Sequence, residues 1–214
     1  MNKKKKERLY GAAPILIGIF VLAGLAVSGC DQKQTPKPAA EAKETLSAEG
    51  LPGLQTGEAP WKPEIVYLRE RLNRIGLPAL PEEGSGLHSH QHLDIFVHGH
   101  PVPIPGAIGI NIPERFISPV HTHDGSGEIH IESPAVLLYH LGQFFDVWGV
   151  RLTDQCLGGY CEDSENSLRA FVNGKAAGHP RDVELRDKDE IVIAFGKVAE
   201  LPSPIPSEFH ENQP

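Results

Sequence analysis

From Leu87 to Val97 the chain reads Leu-His-Ser-His-Gln-His-Leu-Asp-Ile-Phe-Val. Leu87, Leu93, Ile95 and Val97 share one parity, and His88, His90, His92 and Asp94 share the other. A period of two predicts a strand with one buried face. All three histidines then stand on the opposite face, successive rings spaced about 6.6–6.8 Å along it. His98-Gly99-His100 reads as the turn of a hairpin into Pro101–Pro105.

A second alternating stretch runs from Ser118 to Ser133, with Ile129 and Ile131 set against Glu128, His130 and Glu132. Asp124-Gly-Ser-Gly127 is a strong turn signal inside it. With those four residues as the loop, His121 opposes His130 and His123 opposes Glu128. Directly opposed Cβ atoms lie about 4.5–5.5 Å apart, so a second histidine face results. A slip of one residue would destroy it.

Helical spacing occurs twice. Ile65, Leu68, Leu72 and Ile75 follow Pro63 and precede Gly76 and Pro78, which predicts an amphipathic helix of about twelve residues. Tyr139–Gly149 reads as a short aromatic helix that ends at its glycine. Segments 168–172, 183–185 and 190–195 read as further strands, with Asn173-Gly174 as a turn. The expectation is one strand-rich α+β domain over residues 63–200, built mainly of antiparallel hairpins with two short helices. The hairpin at Asn173 and the late strand after a helix suggest a β-grasp-like arrangement.

The ends read differently. Residues 1–8 are basic, and no charge follows from Leu9 to Cys30. Residues 1–29 therefore read as an export signal. Val27-Ser28-Gly29-Cys30 resembles the bacterial lipobox, which implies that Cys30 carries the lipid and becomes the new N-terminus. An uncleaved membrane anchor is the alternative, since about 20 apolar residues span a bilayer. Either way the domain lies outside the cytoplasmic membrane, on its periplasmic face or at the cell surface. Asp31 after that cysteine resembles an inner-membrane retention signal. Residues 30–62 are rich in Pro, Ala, Glu, Lys and Gln and read as a flexible tether of roughly 30 Å reach. Residues 201–214 form a Pro-rich tail.

Export changes the reading of the other cysteines. Cys156-Leu-Gly-Gly-Tyr-Cys161 in an oxidising compartment points to a local disulfide. Two metal-ligating thiolates are the alternative. A thioredoxin-type pair needs two intervening residues, not four.

Charge narrows the partners. The formal net charge is −8, and beyond residue 29 there are 15 basic and 27 acidic residues. That balance speaks against nucleic acid, whose binding draws on a basic face. Membrane attachment through the lipid is the expected contact, and nothing specifies a protein partner. Of 11 histidines, eight lie between positions 88 and 130.

Histidines one residue apart on a strand project the same way, and a neighbouring strand can complete a His₃ or His₄ set for Zn²⁺ or Cu²⁺. His121, His123 and His130 are the foremost candidate ligands, then His90 and His88, with His92 next to the apolar run. Asp124, Glu128 and Glu132 stand close enough in sequence to ligate or to orient the imidazoles. The competing reading is a hydrogen-bonded or pH-responsive cluster. His98 and His100 fall on a turn, and His140, His179 and His210 are isolated, so these read as structural or solvent-facing.

The sole methionine is Met1 and no histidine follows Cys161 before His179, which disfavours a blue-copper site. His121-x-His123-x₄-Glu128 fits half of a first cupin motif, but the downstream glycine and second motif are missing. Three functions remain: capture or delivery of a divalent transition metal, a Zn-dependent hydrolase with Glu128 or Asp124 as general base, and an assembly protein whose metal staples the fold. No HExxH or phosphate-loop motif is present.

Together, His88-x-His90-x-His92-Leu-Asp, Ile104–Ile110, His121-Thr-His-Asp-Gly-Ser-Gly-Glu-Ile-His-Ile-Glu132 and Leu141–Trp148 resemble an uncharacterised family of exported or membrane-anchored bacterial and archaeal proteins. The resemblance covers roughly residues 64–196. It implies that these blocks form one unit and supplies no mechanism.

Overall fold

The computed structural model describes residues 50–209. The export signal expected over residues 1–29, Cys30, residues 31–49 and His210 lie outside the described residues. In chain order the elements are α1 (Leu68–Ile75), β1 (Leu87–Val97), β2 (His100–Val102), β3 (Ile110–Asn111), β4 (Phe116–Ile117), β5 (Val120–His121), β6 (Glu128–Ser133), α2 (Leu141–Trp148), β7 (Cys156–Leu157), β8 (Tyr160–Cys161), β9 (Ser167–Val172), β10 (Lys175–Ala176) and β11 (Glu190–Gly196). The domain is α+β and strand-rich.

The main sheet has seven strands in the order β10-β9-β11-β1-β6-β5, with β2 also on β1. Its centre is the long strand β1. Leu87 to His92 run antiparallel to β6, and His92 to Val97 run parallel to β11 on the other edge. On the β6 edge the far half of β1 turns back at His98-Gly99 and pairs with β2. Antiparallel hairpins therefore surround one parallel central pair, which joins strands almost a hundred residues apart in sequence.

Burial along β1 follows the predicted alternation, with Leu93, Ile95 and Val97 buried and His90, His92 and Asp94 half-buried. Ile129 and Ile131 of β6 extend the apolar face. Leu68, Leu72 and Ile75 of α1 join them in one core with Phe144, Phe145, Val147 and Trp148 of α2. At about 25 cal/mol per Å² of apolar surface removed from water, this cluster supplies the main drive to fold.

The helices differ from expectation at their starts. α1 has eight residues and begins at Leu68, five later than Pro63. Glu64 is the cause: its carboxylate accepts the backbone N–H groups of Val66 and Tyr67 at 2.9–3.3 Å and pairs with the buried guanidinium of Arg71. Those N–H groups are therefore satisfied outside a helix. Gly76, in the left-handed region with φ 72°, ends α1 as expected, and Gly149 ends α2 in the same way.

Three further differences matter. Residues 183–185 do not form a ladder strand; the Val183 carbonyl accepts from the Leu141 N–H and the Leu185 N–H donates to the Tyr139 carbonyl, around one isolated bridge between His140 and Glu184 at the entry to α2. Strand pairing of β5 stops at His121, so His123 lies in the loop and Glu128 pairs with His92 of β1 instead. Trp61 is buried and Gln55 bridges to Val150, so the packed chain begins upstream of residue 63. Cys156 and Cys161 are disulfide-bonded across the β7–β8 hairpin. Among the described residues no helix is long and apolar enough to cross a membrane.

Candidate metal centre

The polar face of the β1–β6–β5 region gathers five of the six candidate histidines. The register pairs His90 with His130 and His130 with His121, so three strands place one imidazole each in a row. His88 comes from the start of β1 and His123 from the loop after β5. The ring of His130 stands between the others: its centroid is 4.4 Å from those of His90 and His123 and 5.6 Å from that of His121.

The ring nitrogens converge in pairs. Nε2 of His88 is 2.9 Å from Nε2 of His90, and Nε2 of His121 is 3.2 Å from Nε2 of His123. Two ligands on one tetrahedral ion with bonds of 2.0–2.1 Å lie about 3.3–3.4 Å apart. Each pair is thus close to chelating distance.

The opposite nitrogens are held from behind. Nδ1 of His90 lies 3.0 Å from a carboxylate oxygen of Glu128, and Nδ1 of His121 lies 3.0 Å from the carbonyl of Ser118. Acceptors at Nδ1 place the proton there, so the Nε2 lone pairs face inward. Burial is the main reason that the His121 imidazole is pushed down to about 3, with His123 adding to it. The same two causes bring His130 down to about 4. Both rings are therefore neutral at physiological pH, the form a metal requires.

Glu132 closes the floor. It is buried, 3.3 Å from His88 through one oxygen and 3.9 Å from His121 through the other. Burial, and after it the neighbouring Glu83, hold its carboxyl above the usual range. Oε2 of Glu132 and Nδ1 of His130 are buried without a hydrogen-bond partner among the described residues. Orphaned polar atoms of this kind are costly, and here they point into a ring of donors with metal-ligand chemistry. Two overlapping sets have ligand atoms within 4.8 Å of one another: His88, His90, His130 and Glu132, and His121, His123, His130 and Glu132.

Family models, curated proteins and solved structures give no match to this chain. The chemistry of the site rests on its own geometry.

His92 is set apart. Its Nδ1 contacts both oxygens of buried Glu190 at 3.0–3.1 Å, and its Nε2 is 2.9 Å from the carbonyl of Ser126. With an acceptor at each nitrogen, and the Glu190 bond as the leading cause, His92 is pushed up to about 9. It is a doubly protonated brace between β1, β11 and the Asp124–Gly127 turn. With Asp94 and Glu190 it also forms a third compact group.

Asp124 turns back on its own loop, accepting from the Ser126 N–H at 2.9 Å, and hydrogen bonds from Ser126 hold its carboxyl below the usual range. His98 pairs with Glu200 at 3.1 Å, and His179 with Asp154 at 3.2 Å, both away from the cluster. His140 precedes α2, its backbone N–H bonded to Gln143.

Glu83 and Ser118 are the residues that sequence reasoning did not reach. Glu83 comes within 3.8 Å of His123 from a loop forty residues upstream, and Ser118 meets His121 through its carbonyl. Neither carries a side-chain signal in the sequence. Among the surface hollows, one lined by Pro81–Glu83, Ile110–Ile112 and Arg115–Ile117 reaches the site at Glu83, and another is lined by Leu93, Asp94, Pro101–Ile104 and Gly125–Gly127.

Proposed function

We propose that this chain is a lipid-anchored, extracytoplasmic metal-binding module that captures or delivers Zn²⁺ or Cu²⁺. The observation that carries the reading is the pair of inward Nε2 lone pairs on His90 and His121, each fixed by a backing acceptor and met by a second imidazole. Five imidazoles and a carboxylate suit borderline divalent ions, and imidazole prevails over the oxygen donors that hard cations prefer. An acidic mature chain raises the local concentration of cations.

The disulfide supports an oxidising compartment, and the lipobox-like run before Cys30 supports the anchor. Capture is favoured over hydrolysis because each candidate set already offers four protein ligands, whereas a catalytic zinc keeps a position for water. It is favoured over a stapling role because Ile129 and Ile131 of the core lie on the face of β6 opposite His130.

The test is the metal content of the full-length chain, produced with its export signal and purified in detergent, measured by plasma mass spectrometry. At least one equivalent of Zn or Cu is expected. Folded protein that takes up neither ion at micromolar concentration would overturn the reading. Radiolabelled fatty acid should enter the wild type and not Cys30→Ser; equal labelling would remove the anchor.

A further inference from the structure

The six groups on the histidine face are more than one tetrahedral ion can use. Zn²⁺ at a protein site takes four ligands, three of them from the protein when a position stays open. Here the Nε2 atoms of His88 and His90 meet on one side and those of His121 and His123 on the other, with the His130 ring between the two pairs. Glu132 reaches both pairs through different atoms, one oxygen 3.3 Å from Nε2 of His88 and the other 3.9 Å from Nε2 of His121.

We infer that the face holds two divalent transition-metal ions side by side, His88 and His90 binding one, His121 and His123 the other, with the Glu132 carboxylate bridging them and His130 completing the shell of one. The inference rests on the metal-binding reading above and specifies its stoichiometry and its bridging group.

Three features fit two ions better than one. The carboxylate stands with its two oxygens divided between the two chelating pairs, as a bridge requires. Each pair has its own backing acceptor, Glu128 behind His90 and Ser118 behind His121, so each is independently oriented. Negative charge is also supplied around both ions. Glu132 lies between them, Glu128 lies within 3.6 Å of His130, and Glu83 flanks His123. Four positive charges placed close together need such compensation.

The two sides differ in access. The His88 side chain is 61 % exposed and the His123 side chain 42 %, whereas His121 is fully buried. The ion held by His88 and His90 therefore has the more open seat, and it is the one expected to exchange first. A resident ion beneath an exchangeable one would let the module hold its site in shape while passing cargo.

The experiment is a titration of the metal-free full-length chain with Zn²⁺, counted by native mass spectrometry and calorimetry, beside His88→Ala and His123→Ala. Both substitutions sit at exposed positions, and circular dichroism checks the fold. Two ions should bind the wild type. Each variant should keep one ion at its original affinity and lose at least about tenfold in affinity for the other. Loading with Cu²⁺ should give a spin-coupled pair by electron paramagnetic resonance, with an uncoupled spectrum in either variant at one equivalent.

One ion in the wild type overturns the two-ion inference and leaves metal capture standing. No ion overturns metal capture itself. Two ions, with neither variant changing the count or the affinity, place the second ion elsewhere and overturn the inference as well.

Discussion

Nδ1 of His90 lies 3.0 Å from Oε1 of Glu128, a buried carboxylate on the strand alongside. The contact fixes the tautomer and the ring plane of His90, so that its other nitrogen faces His88. Glu128→Gln keeps the shape and removes the charge. It should weaken Zn²⁺ binding by about 10–100-fold with an unchanged circular dichroism spectrum. Competition against a chromophoric chelator measures this, and an unchanged affinity would show that Glu128 does not act through His90.

His92 should govern stability rather than metal affinity. Its folded value of about 9 lies above the ordinary 6.5 of histidine. A raised cation contributes stability that is fully present below the ordinary value and lost as pH rises through the folded one. The contribution is of order 3 kcal/mol below pH 6.5, fading to nothing above pH 9. Urea unfolding of the metal-free protein at pH 6 and pH 10 should show that difference. His92→Gln should shrink it while leaving Zn²⁺ binding within about threefold of wild type, because a brace outside both ligand sets acts at a distance.

The histidine face was legible because a strand has a period of two. His88, His90, Ile129, His130 and Ile131 declare their faces by parity alone, and Asp124–Gly127 sets the register of His121 against His130. The parallel pairing of β1 with β11 was not legible, because a crossover of almost a hundred residues leaves no local mark of register. That pairing is what brings Glu190 to His92 and draws this one histidine out of the row. The start of α1 escaped for a related reason. Glu64 satisfies the N–H groups of Val66 and Tyr67 from its side chain, and spacing of apolar residues says nothing about where a carboxylate will turn.

Metal removal should leave a folded domain. The core draws on Leu93, Ile95, Ile129, Ile131 and the two helices, all on the far side of the sheet from the imidazoles. Chelation should therefore preserve the circular dichroism spectrum and a cooperative melt. Free Zn²⁺ at 100 times its dissociation constant should then add about 2.7 kcal/mol for a single site. For a domain of this size that is roughly 5–10 °C in melting temperature. Loss of cooperative melting on chelation would instead identify the metal as a staple.

The roof over the site should be sensitive at one glycine. Gly84 and Gly86 donate to the carbonyls of Glu132 and Ser133 at 3.3 and 2.8 Å, which lays the segment carrying Glu83 against β6. A Cβ at Gly84 would stand 2.3 Å from the Ser133 carbonyl carbon and 2.4 Å from the Pro134 nitrogen, backbone atoms that cannot swing away. Gly84→Ala must lift this segment from the strand edge, with a cost of about 1–3 kcal/mol in the manner of overpacking. It should also draw Glu83 away from His123 and Glu132, lowering Zn²⁺ affinity. Gly125→Ala is the matched control, since its added carbon would meet only the Ile104 carbonyl at an ordinary 3.6 Å. Thermal melts and Zn²⁺ titrations of both variants decide the matter. Equal behaviour of the two would mean that the segment carrying Glu83 contributes nothing to the site.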